Sequence, residues 1–219
     1  MKLLNRGLAL AVVGAGLAAL PAIGVQAAPA AQADPNGIAA MADRASGEVA
    51  VTREEATNKV GFIRVQGDGD LLPSVGGDSL GAAKDKADAY LVQYAANFGA
   101  RPDELVRSGV AESAAGWTVT YSQTYKGVDV FGSMLRAQVD HEGDLTSVNG
   151  YAAPDLSLSV EPRISANDAG ERAVGLVRED PPSHDGETAD LTGIAPKTSK
   201  LVVYRMGATR GEAGTAVLA

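Results

Sequence analysis

The 219-residue sequence contains no cysteine, so no disulfide can staple the fold and stability has to come from burial. The same absence excludes a lipid-modified cysteine anchor after the leader. Basic residues are outnumbered: 19 Lys and Arg stand against 27 Asp and Glu, a formal charge of −8. A chain of this sign repels phosphate backbones, which argues against a nucleic-acid partner and favours a positively charged protein surface. Histidine is scarce, with only two in the chain.

What is present begins with a targeting layout. Basic Lys2 and Arg6 precede an apolar Ala/Gly-rich run from Gly7 to Val25, and Val25-Gln26-Ala27 offers a small-residue cleavage site after Ala27. An uncleaved anchor is the alternative, because the run approaches the length of a bilayer span. Pro21 and Gly24 interrupt it and no basic stop-transfer cluster follows, so removal, secretion to the exterior and no stable membrane insertion are expected. Removing Lys2 and Arg6 with the leader takes the formal charge from −8 to −10. Residues 28–47 are Ala-rich with Pro29 and Pro35, and read as a disordered linker.

Thr52-Arg53-Glu54-Glu55 has capping-box spacing and predicts a short helix into Lys59, followed by a strand at Gly61 to Gln66. From Ser79 to Phe98, Leu80, Ala83, Ala87, Tyr90, Leu91, Tyr94 and Phe98 recur every three or four residues and form one apolar helical face. Ser79 caps its start, and Gly99 with Pro102 stops it. An aromatic ligand stripe is conceivable at Tyr90, Tyr94 and Phe98, but core packing accounts for the spacing.

From Leu105 to Tyr151 the period changes to two. Trp117, Val119 and Tyr121 alternate with Thr118, Thr120 and Ser122. Two further runs, Val128 to Val130 and Leu135 to Val139, are separated near Gly132-Ser133, and His141-Glu142-Gly143 turns the chain into Leu145 to Tyr151. One long helix beside short-linked strands predicts an α+β fold, an antiparallel sheet with the helix packed across it. Pro154 and Pro162 bracket an irregular loop, Ser165 caps a helix to about Arg178, and Glu179 to Pro196 is a surface connection. Leu201 to Tyr204 and Thr215 to Ala219 are strand-like. Stopping in mid-strand would leave an apolar edge, so the natural polypeptide is expected to continue beyond Ala219.

No chemistry-bearing constellation emerges. His141-Glu142 begins like the zinc motif with two histidines one helical turn apart, but position 145 is leucine and the context is a turn. His184 lies in Pro-Pro-Ser-His-Asp-Gly, where Ser, His and Asp are chain neighbours rather than groups gathered from separate elements. Gly67-Asp68-Gly69-Asp70 lacks the spaced oxygen ligands of a calcium loop. Gly76-Gly77 and Gly81 come without a phosphate-loop lysine. A non-enzymatic exported domain acting through contact is the reading these residues support.

Gln123-Thr124-Tyr125-Lys126-Gly127-Val128-Asp129-Val130-Phe131-Gly132-Ser133 resembles the signature of the fungalysin/thermolysin propeptide domain, in which an aromatic and a polar residue precede Gly-Val-Pro-Val-Phe-Gly. Asp129 stands where the family commonly has proline. The resemblance extends through Leu135 to Asp140, Leu145 to Gly150 and Ser165 to Val174, and upstream to Asn97-Phe98-Gly99, while Lys200 to Ala219 looks like the opening of a PepSY module. After the signal peptide at 1–27 and the linker at 28–47, it implies a propeptide-like domain at 48–153 and the start of a small α+β PepSY-like domain at 154–219. It also implies a pro-region that helps a downstream zinc metallopeptidase domain to fold, inhibits it in cis and is cut away. That catalytic domain, with its zinc and calcium, is absent from this chain, which itself needs no cofactor. The implied partner contacts are Tyr125, Val128, Val130 and Phe131, with a core-and-turn role for the same residues as the alternative. Other readings are a fragment named for its missing peptidase half, and a free-standing secreted protease inhibitor or cell-wall-associated binding module.

Overall fold

A computed structural model describes residues 36–219. The leader, the cleavage position Ala27 and the linker up to Pro35 lie outside the described residues. The elements are α1 (Ile38–Arg44), β1 (Val49–Arg53), β2 (Val60–Val65), α2 (Leu80–Phe98), β3 (Leu105–Ser113), β4 (Gly116–Tyr125), β5 (Val128–Val139), β6 (Leu145–Tyr151), α3 (Ala166–Glu179), β7 (Ser183–His184), β8 (Glu187–Thr188), β9 (Val202–Arg205) and β10 (Ala216–Leu218). The fold is α+β.

Helix α2 forms where the sequence places it. The Ser79 hydroxyl accepts from the Ala82 N–H at 3.2 Å, satisfying one of the free amides of the first turn. Gly99 closes the helix in the left-handed region at φ 95°, its N–H returned to Ala95 and Ala96 carbonyls, a conformation that costs glycine no side-chain clash. Ala83, Ala87, Tyr90, Leu91, Tyr94 and Phe98 are buried, and full burial of a side chain such as Phe98 contributes about 1.5–3 kcal/mol. Leu80, expected on this face, is 40% exposed, because the first residue of the helix lies outside the core cluster.

The main sheet runs β1-β2-β6-β5-β4-β3, every neighbour antiparallel. Ile63, Val119, Leu135, Ala137, Val139, Leu145 and Val148 line the face that meets α2. The twofold alternation of β4 is realised: odd positions from Trp117 to Tyr125 are buried and the Thr and Ser between them half-buried. At Gly150, φ is 135° and a Cβ would lie 1.9 Å from the Met134 carbonyl, so close pairing of β6 with β5 demands glycine there.

Several local expectations are corrected. The predicted helix after Thr52 is a hairpin loop between β1 and β2. Glu54 Oε1 accepts from the Ala56 N–H at 3.1 Å and Oε2 from the Thr57 hydroxyl at 2.6 Å. Thr52 pairs with Phe62 inside β1, whose valines favour a strand over a cap. Residues 38–44, read as linker, form α1: Met41 is fully buried against the core, and Arg44 Nη1 donates to the Tyr94 hydroxyl at 3.0 Å. Tertiary contact supplies the burial that this Ala-rich segment cannot supply alone. β5 is one strand through Gly132 and Ser133 rather than two runs. β3, which the sequence reading does not single out, is an edge strand exposed along nearly its whole length. β7 and β8 make a small exposed hairpin within the surface connection.

Candidate functional site

The segment singled out by resemblance, Gln123 to Ser133, is a β-hairpin at the end of β4 and β5, turned by Lys126 (φ 50°) and Gly127 (φ 80°). Register along β4–β5 jumps between Ser122 and Thr124, so the strand carries a bulge. Gln123 sits at the bulge, fully buried. Its Nε2 donates to the Ala153 carbonyl at 3.0 Å and to Glu104 Oε2 at 2.9 Å, while Oε1 accepts from the Ala153 N–H at 2.8 Å and from the Ser133 hydroxyl at 3.1 Å. All four hydrogen-bonding positions of the amide are filled, as a buried amide requires.

This clasp sits where the edge of β5 changes partners. Met134 to Val139 pair with β6, and beyond the end of β6 the same strand pairs in parallel with β9, Asp129 opposite Val202 and Val130 opposite Val203. A second, smaller core forms there from Tyr125, Val130, Ala153 and Val203. Of the four implied contact residues, Tyr125 (8% exposed) and Val130 (4%) belong to this core, and Val128 packs against it. Phe131 is 52% exposed and touches Tyr204 edge-on at 5.8 Å. The structure therefore brings Tyr125, Val128 and Val130 together around the chain's own later strand and leaves Phe131 outward.

The Tyr125 hydroxyl accepts from the Leu158 N–H at 3.3 Å. Hydrogen bonding from Lys126, whose ammonium lies 4.9 Å from the ring centre, holds the phenol below its ordinary pKa. Nearby, burial raises that of Tyr151, opposed by the Arg205 guanidinium. Asp129 pairs with Lys200, which ties the hairpin to the segment leading into β9.

A second polar node was missed by sequence reasoning. Lys86, on the buried face of α2, pairs with Asp70 and donates to the Gly143 carbonyl at 2.6 Å. Asp70 Oδ1 accepts from the N–H groups of Leu72 at 2.8 Å and Leu145 at 3.1 Å. One buried carboxylate thus joins the 66–72 loop, α2 and the β5–β6 turn. Burial raises the Asp144 carboxyl above the usual range, reinforced by the charges of Asp70 and Asp140.

The histidines stand in structural or exposed settings. His141 is in the β5–β6 turn, its ring edge-on to Trp117 at 4.9 Å and its Nε2 3.1 Å from the Ser113 carbonyl; Leu145 is buried in the core. His184 lies 3.2 Å from Asp185 on the exposed hairpin. Among the described residues no group of three or more His, Cys, Asp or Glu side chains is arranged to hold a metal ion, and no helix is long and apolar enough to cross a membrane.

The hairpin and the strands that lead into and out of it fall within one recognised motif. Residues 112–151 match the family model of the Fungalysin/Thermolysin Propeptide Motif. The propeptide motif spans the end of β3 and all of β4, β5 and β6. It points to a non-catalytic pro-region of a protease precursor. No curated protein and no solved structure matches the chain.

Gln123 and Lys86 each carried a signal. Gln123 falls on the inward phase of β4, and Lys86 sits between Ala83 and Ala87 within the apolar stripe of α2. A polar side chain in a buried phase has to find partners. Only the fold shows which ones.

Proposed function

We propose that this chain is the pro-region of a secreted thermolysin-like zinc metalloendopeptidase, acting as intramolecular chaperone and inhibitor of a catalytic domain that follows it. The observation that carries the reading is the propeptide motif over residues 112–151. A folded surface covalently joined to a slow-folding domain stabilises that domain's native packing, and the same contacts hold it in the bound state by mass action. Release then requires proteolysis.

Residues 154–219 read, in this proposal, as the first part of a PepSY-like module. In support, α3 has a one-sided apolar stripe through Ala166, Ala169, Ala173 and Val177, yet of its residues only Gly170 is buried, against Pro196. A helix whose apolar stripe is only half covered has room to pack against a further element. Within the 123–133 hairpin, Phe131 is the residue proposed for partner contact, since Tyr125, Val128 and Val130 pack within the chain.

The test is titration of the full chain against thermolysin with a peptide substrate. Saturable inhibition is expected, together with no hydrolysis of casein by the chain alone, with or without added zinc. Unchanged thermolysin activity at micromolar chain, or turnover by the chain itself, would overturn the proposal.

A further inference from the structure

α2 covers one face of the main sheet, and among the described residues the opposite face is open. The strand pairings place its residues in rows. One row crosses Arg64, Ser147, Gln138 and Thr118, and the next crosses Phe62, Asn149, Arg136 and Thr120. Arg64 and Arg136 are two strand spacings apart, roughly 10 Å sideways, with Ser147 and Asn149 between them. Both arginines are exposed, and neither has an ion-pair or hydrogen-bond partner among the described residues.

These rows contain no Asp or Glu from β2 across to β4, in a chain with 27 acidic residues and a net charge of −8. On the same side Asp129, at the hairpin end, is already paired with Lys200. The remaining side chains are mostly short, and the Thr118 hydroxyl donates to Gln138 Oε1 at 2.7 Å, which ties neighbouring strands together. The face is therefore low and cationic, with two guanidiniums free for bidentate contact with carboxylates.

We propose that this face, centred on Arg64 and Arg136, is where the pro-region docks its partner, and that the partner presents a carboxylate-bearing segment to it. The inference rests on the pro-region reading and adds the surface and its chemistry. The positively charged partner favoured by the net charge is replaced, at this face, by an acidic one, because contact energies depend on the charges within about a Debye length and not on the chain total.

The experiment compares the unaltered chain with Arg64→Glu/Arg136→Glu and with a control, Arg163→Glu/Arg172→Glu, which reverses two exposed arginines that have no hydrogen-bond or ion-pair partner among the described residues, one on the loop before α3 and one on α3 itself. Circular dichroism melts confirm equal folding. In the thermolysin titration the Arg64/Arg136 variant is expected to need at least about tenfold more chain for half inhibition, with the control within about twofold. In a second arm, anisotropy of a fluorescein-labelled alternating Glu-Val peptide is expected to show binding that weakens between 50 and 500 mM salt, roughly a threefold shortening of the screening length, and that disappears in the Arg64/Arg136 variant. Inhibition equal to that of the unaltered chain sinks this inference while leaving the pro-region reading intact. Absence of inhibition by the unaltered chain sinks that reading, and the peptide arm then decides the surface: salt-insensitive binding, no binding, or binding unaffected by the substitutions overturns it. Loss of self-association in the variant, seen by light scattering, would assign the face to a second copy and overturn it as well.

Discussion

Replacing Lys86 by methionine keeps the aliphatic stem and removes only the ammonium, so it isolates the buried ion pair. Asp70 would remain at 4% exposure with the N–H groups of Leu72 and Leu145 on Oδ1, but with nothing on Oδ2, and the Gly143 carbonyl would lose its donor. Stranding one member of a buried pair costs about 3–5 kcal/mol. Against a typical total stability of about 5–15 kcal/mol, that is roughly a fifth of the fold's stability at the least. Urea unfolding of the full chain, followed by far-ultraviolet circular dichroism and by Trp117, the only tryptophan, measures it. The midpoint is expected to fall with an unchanged m-value. The double change Lys86→Met/Asp70→Asn is expected to recover part of the loss, because the orphaned charge is then gone. A loss below about 1 kcal/mol for Lys86→Met, the range of exposed pairs, would refute the view that this pair fastens the 66–72 loop and the β5–β6 turn to α2.

Gln123→Leu strands the N–H and C=O of fully buried Ala153, while the Ser133 hydroxyl keeps the Tyr151 carbonyl; at about 1–3 kcal/mol for each orphaned group, a loss of at least about 2 kcal/mol is expected in urea unfolding, with faster amide exchange at Ala153. Asp144 has a carboxyl pKa raised by burial and by the nearby charges of Asp70 and Asp140, so the native state holds its proton more tightly than the unfolded chain does and stability falls as pH rises through the folded value. Asp144→Asn is therefore expected to be more stable than the unaltered chain at pH 7, with the advantage closing as pH falls through the folded value and gone below roughly 4; an advantage that grows on acidification would contradict the assignment.

Much of the local structure was legible in the sequence. α2 could be read because its signals all lie within one short window: the Ser79 cap, the three-and-four spacing and the Gly99 stop each act over a turn or two of helix. β4 was legible for the same reason. The helix predicted after Thr52 failed because a capping-box spacing is silent about cross-strand pairing, and Thr52 opposite Phe62 in a hairpin outweighs it. α1 was missed because Met41 gains its burial from elements far along the chain. Within the candidate site, the 123–133 segment was found by resemblance, but the division of labour inside it was not. That β9 would take the edge of β5 and cover Val130 is decided by a pairing more than seventy residues away.

The sequence by itself determined the α+β class, the limits of the long helix and the inward or outward phase of the β4 residues. Phase is a property of a chain with its own neighbours, so short-range periodicity is enough to set it. Strand order, the union of Lys86 with Asp70, and the placing of Arg64 near Arg136 on one face of the sheet were decided only by the tertiary structure. Each depends on which distant segment lies across the sheet, and that follows from the packing of the whole core rather than from any single stretch of residues.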